Sequence, residues 1–312
     1  MGNEFKVHIL GSSAAIPTSV RLTTAQVINY QNKHILLDCA EATQIQLRRL
    51  RLPLMRFNHI FISHLHGDHF LGLPGLIFTL HLLGRKNKLH IYAPEGLQEI
   101  IELQYRISNL EPGYEIVYHL IHKGEQLIFQ DKHITIHTIE MMHRLPSFGF
   151  LIREKPFLPN IRKDAIKKYD ISIRDIQRIK SGKDLTLENG EIITNADLTI
   201  PAPPPRSYAF CSDTGFTHQY IEQIRGVDLL YHEATFLHDK EDIAKEKTHC
   251  TALQAAMIAR DAQVKKLLIG HYSARYEDLS PFIDEAGSVF PDTMLAEEGK
   301  IIEIPLNKIQ TS

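Results

Sequence analysis

Apolar positions along this 312-residue chain fall into short strand-like runs and helical stripes that follow one another over most of its length. Runs at Lys6–Leu10, Gln26–Tyr30, His34–Asp38, His59–Ser63 and His90–Ala93 predict strands. Apolar periodicity near 3.6 predicts helices over Ala42–Arg51, Leu71–Leu83 and Leu97–Ile107, the last opened by Pro94-Glu95-Gly96. Strands follow at Ile116–Ile121, Gln126–Phe129, Ile134–Glu140 and Phe148–Arg153. Helices are then expected at Lys163–Tyr169 and Ile173–Lys180. Leu185–Ile193 reads as a hairpin around Asn189-Gly190, and Pro201–Pro205 as a stiff extended connector. The last third alternates again, with strands at Tyr208–Cys211, Asp228–Tyr231 and Lys265–Ile269 and helices at Ile221–Ile224 and Ala252–Asp261. The pattern is that of an α/β chain.

Five of the apolar runs end in a residue that can bind a metal or move a proton. Ile60–Ser63 leads to His64, Ile134–Met142 to His143, and Ala209–Ser212 to Asp213. Leu229–Tyr231 leads to His232 and Glu233, and Leu267–Gly270 to His271. The first run opens His64-Leu65-His66-Gly67-Asp68-His69, four ligand-type side chains within six residues. His64 and His66 are spaced to share one metal, and Asp68 and His69 lie far enough round the turn to reach a second. Neutral imidazole and carboxylate suit zinc, at about 2.0–2.2 Å. A lone His at a strand end is usually a satisfied core or surface residue, and 18 histidines give room for accidents. Five such ends together with the dense run are not independent accidents.

Composition narrows the class. At 43% hydrophobic the chain can bury a sizeable core, and no compositional shift marks a domain boundary. The first residues carry no signal-peptide pattern, and Lys6 breaks a myristoylation signal after Met1-Gly2. The Leu71–Leu83 stretch is too short and too broken to span a membrane. Cys39, Cys211 and Cys250 are too few and too scattered for a disulfide framework, so they read as buried packing residues in a cytoplasmic protein. Net charge is −2. Arg153–Lys183, however, carries ten Lys/Arg against four Asp/Glu, a net +6 that leaves −8 for the rest. That is the footprint of a polyanion-binding arm, or else of a solvated amphipathic helix.

The chain resembles the metallo-β-lactamase superfamily and, within it, the ribonuclease Z family of tRNA 3′-processing endonucleases. The resemblance covers nearly the whole chain. It rests on Gly11–Thr18, Leu37–Gln44 and Ser63–Leu73 with Pro74-Gly75-Leu76. It continues through His143 with Pro146–Phe150, Ser212-Asp213-Thr214 and His232-Glu233-Ala234-Thr235-Phe236. It closes on Lys247–Ala252 and Gly270–Tyr276. The resemblance implies a single αββα sandwich of two mixed β-sheets flanked by helices, over residues 1–312. A protruding basic arm would be inserted at about 153–183. It implies two zinc ions, with manganese the alternative. His64, His66 and His143 would hold one, Asp68, His69 and His271 the other, and Asp213 would bridge them. A metal hydroxide would attack the phosphodiester, with Asp68 accepting the water's proton. His249, oriented by Glu233, would protonate the departing 3′ oxygen. Arg275 would hold a non-bridging phosphate oxygen, against the plainer reading of a surface ion pair. Precursor tRNA would be the substrate, and a homodimer would place one subunit's arm at its partner's site. No membrane and no organic cofactor are expected.

Three departures from the family pattern stand out. Ala40 and Ala42 occupy positions commonly held by Gly, which costs little if the backbone there keeps φ negative. Pro17–Leu22 lacks the Lys and Asn of the related loop, and the arm tip reads Ile171–Asp175 rather than Gly-Pro-rich. Two competing functions remain. One is a hydrolase of small esters on the same fold, of the cyclic-nucleotide phosphodiesterase, arylsulfatase or lactonase type. It would not need a basic arm. The other is a non-catalytic RNA-binding scaffold, which would need a broken ligand set.

Overall fold

The computed structural model describes residues 4–306; the Met1-Gly2 dipeptide lies outside them. The strands that build the two large sheets are β1 (Phe5–Gly11), β2 (Ala25–Tyr30), β3 (Lys33–Leu37), β4 (Phe57–Phe61), β5 (Leu89–Ala93), β6 (Ile116–Leu120) and β7 (Leu127–Gln130). They continue with β8 (Ile134–Met141), β9 (Ser147–Glu154), β10 (Ser207–Cys211), β11 (Leu229–Glu233), β12 (Leu267–Gly270), β13 (Thr293–Leu295) and β14 (Ile301–Glu303). Helices are α1 (Thr43–Arg49), α2 (Gly67–Phe70), α3 (Gly72–Leu82), α4 (Leu97–Ser108), α5 (Lys163–Lys168) and α6 (Ile173–Lys180). They continue with α7 (Asn195–Leu198), α8 (Ile221–Ile224), α9 (Glu241–Lys247), α10 (Ala252–Asp261) and α11 (Ser280–Gly287).

Each large sheet has seven strands. Their orders are β14-β1-β2-β3-β4-β5-β6 and β13-β12-β11-β10-β9-β8-β7. Both are mixed: β3 to β6 run parallel in the first and β10 to β13 in the second, with antiparallel pairs beside them. Strands such as β2 and β10 are buried at every residue, which is why their sequences are near-continuous apolar runs. One core forms between the sheets from β1, β2, β3, β9 and β10 side chains, including Val7, Ile28, Phe150 and Phe210. A second lies outside the first sheet, under α1, α3 and α4. A third lies outside the other sheet, under α8, α10 and α11. The layer order is therefore helix, sheet, sheet, helix, as expected. Parallel strands aim their carboxyl ends the same way, and in α/β sheets ligands bind in the crevice beyond those ends.

Residues 4–153 and 207–305 form one compact unit, and Glu154–Arg206 belongs to another. The second unit contains the expected helices and hairpin. Ile161, Ala165, Ile179, Leu185, Ile193 and Leu198 form its own small core. The basic segment is thus the first part of a longer element. Helices α5 and α6 each bury one apolar side, and the residues up to Arg206 cover it. Over 154–206 ten Lys/Arg face eight Asp/Glu. The charge is segregated rather than large, with exposed cations at Lys163, Lys167, Arg174 and Arg178 on the two helices. Glu154 and Arg206 close the unit's ends with a buried two-point ion pair at 2.7 and 3.0 Å.

One expectation is corrected. Ala42 does not keep φ negative: it sits at φ +64°, as the residue before α1. The strand-to-helix turn is tied down on both sides. Cys39 N–H donates to the His69 carbonyl and Gly72 N–H to the Cys39 carbonyl. A Cβ on Gly72 would come within 1.9 Å of the Ala40 carbonyl oxygen. Tertiary hydrogen bonds therefore hold Ala42 in a left-handed conformation that an L-residue adopts at about 1–2 kcal/mol. Ala40 is not left-handed, and there the expectation stands.

Candidate metal centre

The run after β4 stays extended through His64 and His66, then turns into the one-turn helix α2, which carries Asp68 and His69. His143 follows β8, Asp213 follows β10, Glu233 ends β11 and His271 follows β12. His271 sits at φ +62° and Asp38, after β3, at φ +55°, so the backbone is strained where the strands deliver their ligands. His64, His66, His143 and Asp213 place one ligand atom each within 4.8 Å of one another; so do Asp68, His69 and His271. These are the two expected groups; Asp213, His249 and His271 form a third, overlapping one.

Four of the five imidazoles are fixed by one ring nitrogen, leaving the other for the cluster, and His64 Nδ1 lies 3.0 Å from Ser63 Oγ. His69 Nδ1 donates to Asp38 Oδ2 at 2.7 Å, and His143 Nδ1 to the Thr248 carbonyl at 3.0 Å. His271 Nδ1 donates to Thr235 Oγ1 at 2.9 Å. His64 Nε2 and His143 Nε2 lie 3.0 and 3.3 Å from His66 Nδ1. Ligands about 2.0–2.1 Å from one zinc are spaced in this way. The fit of a cation is visible in three buried atoms without a hydrogen bond: His69 Nε2, His271 Nε2 and Asp213 Oδ1. They converge, with Asp213 Oδ1 3.3 Å from His69 Nε2 and 3.2 Å from His271 Nε2. Buried polar atoms are rarely left unpaired, and a divalent ion pairs all three at once.

The electrostatics agree. Burial pulls the His69 pKa down, but Asp213, Asp68 and Asp38 outweigh it and push it well above its ordinary range. Burial likewise opposes ionisation of Asp213, yet His271, His69 and His64 hold its carboxyl well below the usual range. The cluster keeps carboxylates ionised and demands positive charge. Cysteine plays no part: Cys39, Cys211 and Cys250 are free, buried and outside both groups.

Beside the ligands, Glu233 is fully buried and accepts from four groups. These are His249 Nδ1 at 2.8 Å, Thr214 N–H at 3.2 Å, Thr235 N–H at 3.0 Å and Thr235 Oγ1 at 2.8 Å. Burial works against the charged His249 ring, but the Glu233 carboxylate pushes its pKa up to about 9. With Nδ1 on Glu233, the Nε2 edge is the one left to act. Arg275 is exposed, with its guanidinium 5.0 Å from the Phe236 ring centre and its Nε donating to Ser273 Oγ. It makes no ion pair among the described residues. His66, Asp68, His143, His249, His271 and Arg275 all line one open cavity of about 530 Å³.

His232 is not brought to the cluster. Its Nε2 accepts from the Tyr220 hydroxyl at 2.7 Å and its Nδ1 donates to the Glu233 carbonyl, on the buried outer side. The sequence reading missed Asp38 as a positioning group, although the strand-end rule that found the others applies to it. It also missed Thr235, the Thr248 carbonyl and the Ala15 N–H, which donates to Asp68 Oδ2 at 2.7 Å. Backbone groups leave no side-chain signal.

Comparison with known proteins follows the same line. Residues 5–168 match the family model described as Anti-Pycsar protein Apyc1. A ribonuclease Z from Phocaeicola vulgatus is 47% identical over 96% of this chain and 98% of its own length. Among solved structures, human tRNase Z, short form, is 27% identical, covering 96% of this chain and 99% of its own, with a TM-score of 0.71. The metallo-β-lactamase fold protein YhfI from Bacillus subtilis, 17% identical, matches in fold with a TM-score of 0.69 over 97% and 100% of the two chains. The chain adopts the metallo-β-lactamase fold. It belongs to the ribonuclease Z family, with the Apyc1 family pattern over residues 5–168.

Proposed function

We propose that this chain is a metal-dependent endoribonuclease that removes the 3′ trailer from precursor tRNA and leaves a 3′ hydroxyl. The observation that carries this reading is the buried Glu233–His249 pair opening onto the same cavity as the two ligand groups. Bound there, two divalent ions, zinc by ligand type with manganese the alternative, supply Lewis acidity toward a phosphodiester and lower the pKa of water.

The chain's own groups do the rest. His64, His66 and His143 would hold one ion and Asp68, His69 and His271 the other, with Asp213 placed between the two groups. Asp68, steadied through its Oδ2 by the Ala15 N–H, accepts the proton of the attacking water. His249 Nε2 gives its proton to the departing 3′ oxygen, and Glu233 keeps the ring oriented. Arg275, stacked on Phe236 and free of carboxylates, pairs with a non-bridging phosphate oxygen. The exposed cations of α5 and α6 hold the tRNA body. We place the enzyme in the cytoplasm as a homodimer in which the Glu154–Arg206 unit of one subunit serves its partner's site. No helix among the described residues is long and apolar enough to cross a membrane.

Incubation with a 3′-extended tRNA transcript, followed by mapping of the cut, tests the reading. A single cut after the discriminator region supports it, and no cleavage by metal-loaded protein overturns it. The second reading is a hydrolase of small esters on the same fold; the family model described as Anti-Pycsar protein Apyc1 matches residues 5–168. That match stops at residue 168, before Asp213, Glu233, His249 and His271.

A further inference from the structure

The hydroxyl of Thr235 lies between two parts of the site with different tasks. It is buried at 3% exposure and has three polar neighbours: Glu233 Oε2 at 2.8 Å, His271 Nδ1 at 2.9 Å and His249 Nδ1 at 3.3 Å. A hydroxyl has one proton to give and two lone pairs to receive. An ionised carboxylate can only accept, so the Thr235 proton goes to Glu233. Its lone pairs then accept from His271 Nδ1–H. That fixes the His271 tautomer with the Nε2 lone pair bare, and Nε2 is the buried atom left without a partner, facing Asp68 and Asp213 at 3.4 and 3.2 Å. The same contact holds Glu233 Oε2, while Oε1 of that carboxylate orients His249.

We propose that Thr235 is a positioning residue that ties the metal ligand His271 to the Glu233–His249 acid pair, so that metal binding and leaving-group protonation share one hydroxyl. It touches no substrate and passes no proton. The inference rests on the reading above that His271 is a ligand and His249 the acid. The backbone of Thr235, two residues past β11, is held as well: the Ser273 N–H donates to its carbonyl, and its own N–H donates to Glu233. A bonded group removed from such a position leaves two buried partners short at once, His271 Nδ1–H and Glu233 Oε2. Outer-shell partners of metal ligands typically contribute about 10–100-fold in affinity.

The test uses the full chain in three variants. Thr235→Val removes the hydroxyl at nearly constant shape, Thr235→Ala removes it without bulk, and Thr235→Ser keeps it. Zinc is titrated against a chromophoric chelator, a measurement that needs no RNA and stands whether or not tRNA is the substrate. One of the two zinc sites should weaken about 10–100-fold in Val and Ala and stay within about threefold of wild type in Ser. Turnover is then compared at saturating zinc on a 3′-extended tRNA and on bis(p-nitrophenyl) phosphate, whose leaving group departs without a proton. The Val and Ala variants should lose more on the tRNA than on the nitrophenyl ester. In a His249→Ala background, adding Thr235→Val should cost the tRNA reaction nothing further. If either hydroxyl-free variant keeps both zinc affinities, or loses the two activities equally, the proposal fails. If Ser behaves like Val, the methyl rather than the hydroxyl matters, and the proposal fails equally.

Discussion

At the scale of single residues, the proposed reading separates binding a metal from moving a proton, and His249 is where the two can be told apart. Its Nδ1 is committed to Glu233, and in the proposed reading its Nε2 serves the leaving group rather than an ion. His249→Ala should therefore retain the full zinc complement by elemental analysis while slowing tRNA cleavage by about 10²–10⁴. Hydrolysis of a nitrophenyl ester should fall much less. Equal loss on both substrates would assign His249 to phosphate positioning instead. Asp38 shows why some of this could not be read in advance. Its sequence neighbours are apolar like those of every other strand-end ligand, and its spacing does not distinguish a residue that binds the metal from one that orients His69. Only the Asp38 Oδ2 contact to His69 Nδ1, across 31 residues, makes the difference.

Among elements, strands that are buried on both faces announced themselves. Burial of β1, β2, β3, β9 and β10 is written in their largely apolar runs, and predicted and observed limits, those of the half-buried β4 included, agree within two residues. Helix α9 was not legible: Glu241–Lys247 is mostly charged and buries only Ala244. Yet its C-terminal Thr248, at φ +56°, supplies the carbonyl that fixes His143 and sets the direction of His249. The edge strands β13 and β14 are three residues long, too short for alternation to show. Ala42 gives a prediction at this scale. Ala42→Gly should relieve the left-handed strain before α1 and raise stability by about 0.5–1 kcal/mol in urea unfolding, after the entropic cost of glycine. No gain would mean that the turn holds Ala42 without strain.

Three neighbouring parallel strands give another. His59 on β4 stacks on His90 of β5, 5.1 Å between rings, and burial, with His90, Lys33 and His119 nearby, pulls its pKa down to about 4. In the unfolded chain the ordinary value is about 6.5. Between those values the unfolded chain takes up a proton that the folded one refuses, so stability falls as pH drops from about 6.5 to about 4 and then levels. His59→Phe should shrink the fall in Tm over that window relative to wild type. An unchanged acid slope would show that His59 titrates freely in the folded protein.

For the whole molecule, the question is how a catalytic sandwich and a basic element coexist in one chain. Arg153 and Ser207 are direct partners on adjacent antiparallel strands, β9 and β10. Such residues sit about 4.5–5.5 Å apart. Replacing 154–206 by a short Gly-Ser turn should therefore leave the sandwich folded, with zinc content and nitrophenyl ester hydrolysis kept. Processing of precursor tRNA should be lost and its steep salt dependence flattened. Full tRNA processing by the shortened chain would make the basic element a solvated appendage.

The same pairing has a broader consequence. To the sandwich, fifty-odd residues of insertion are equivalent to the tip of a hairpin, because the chain leaves and returns between hydrogen-bonded neighbours. What lies in that gap can be exchanged without altering the order of any strand or the position of any ligand. In the proposed reading substrate choice and chemistry are thereby uncoupled: lineages, or designers, can graft a different recognition cassette onto an unchanged reaction centre.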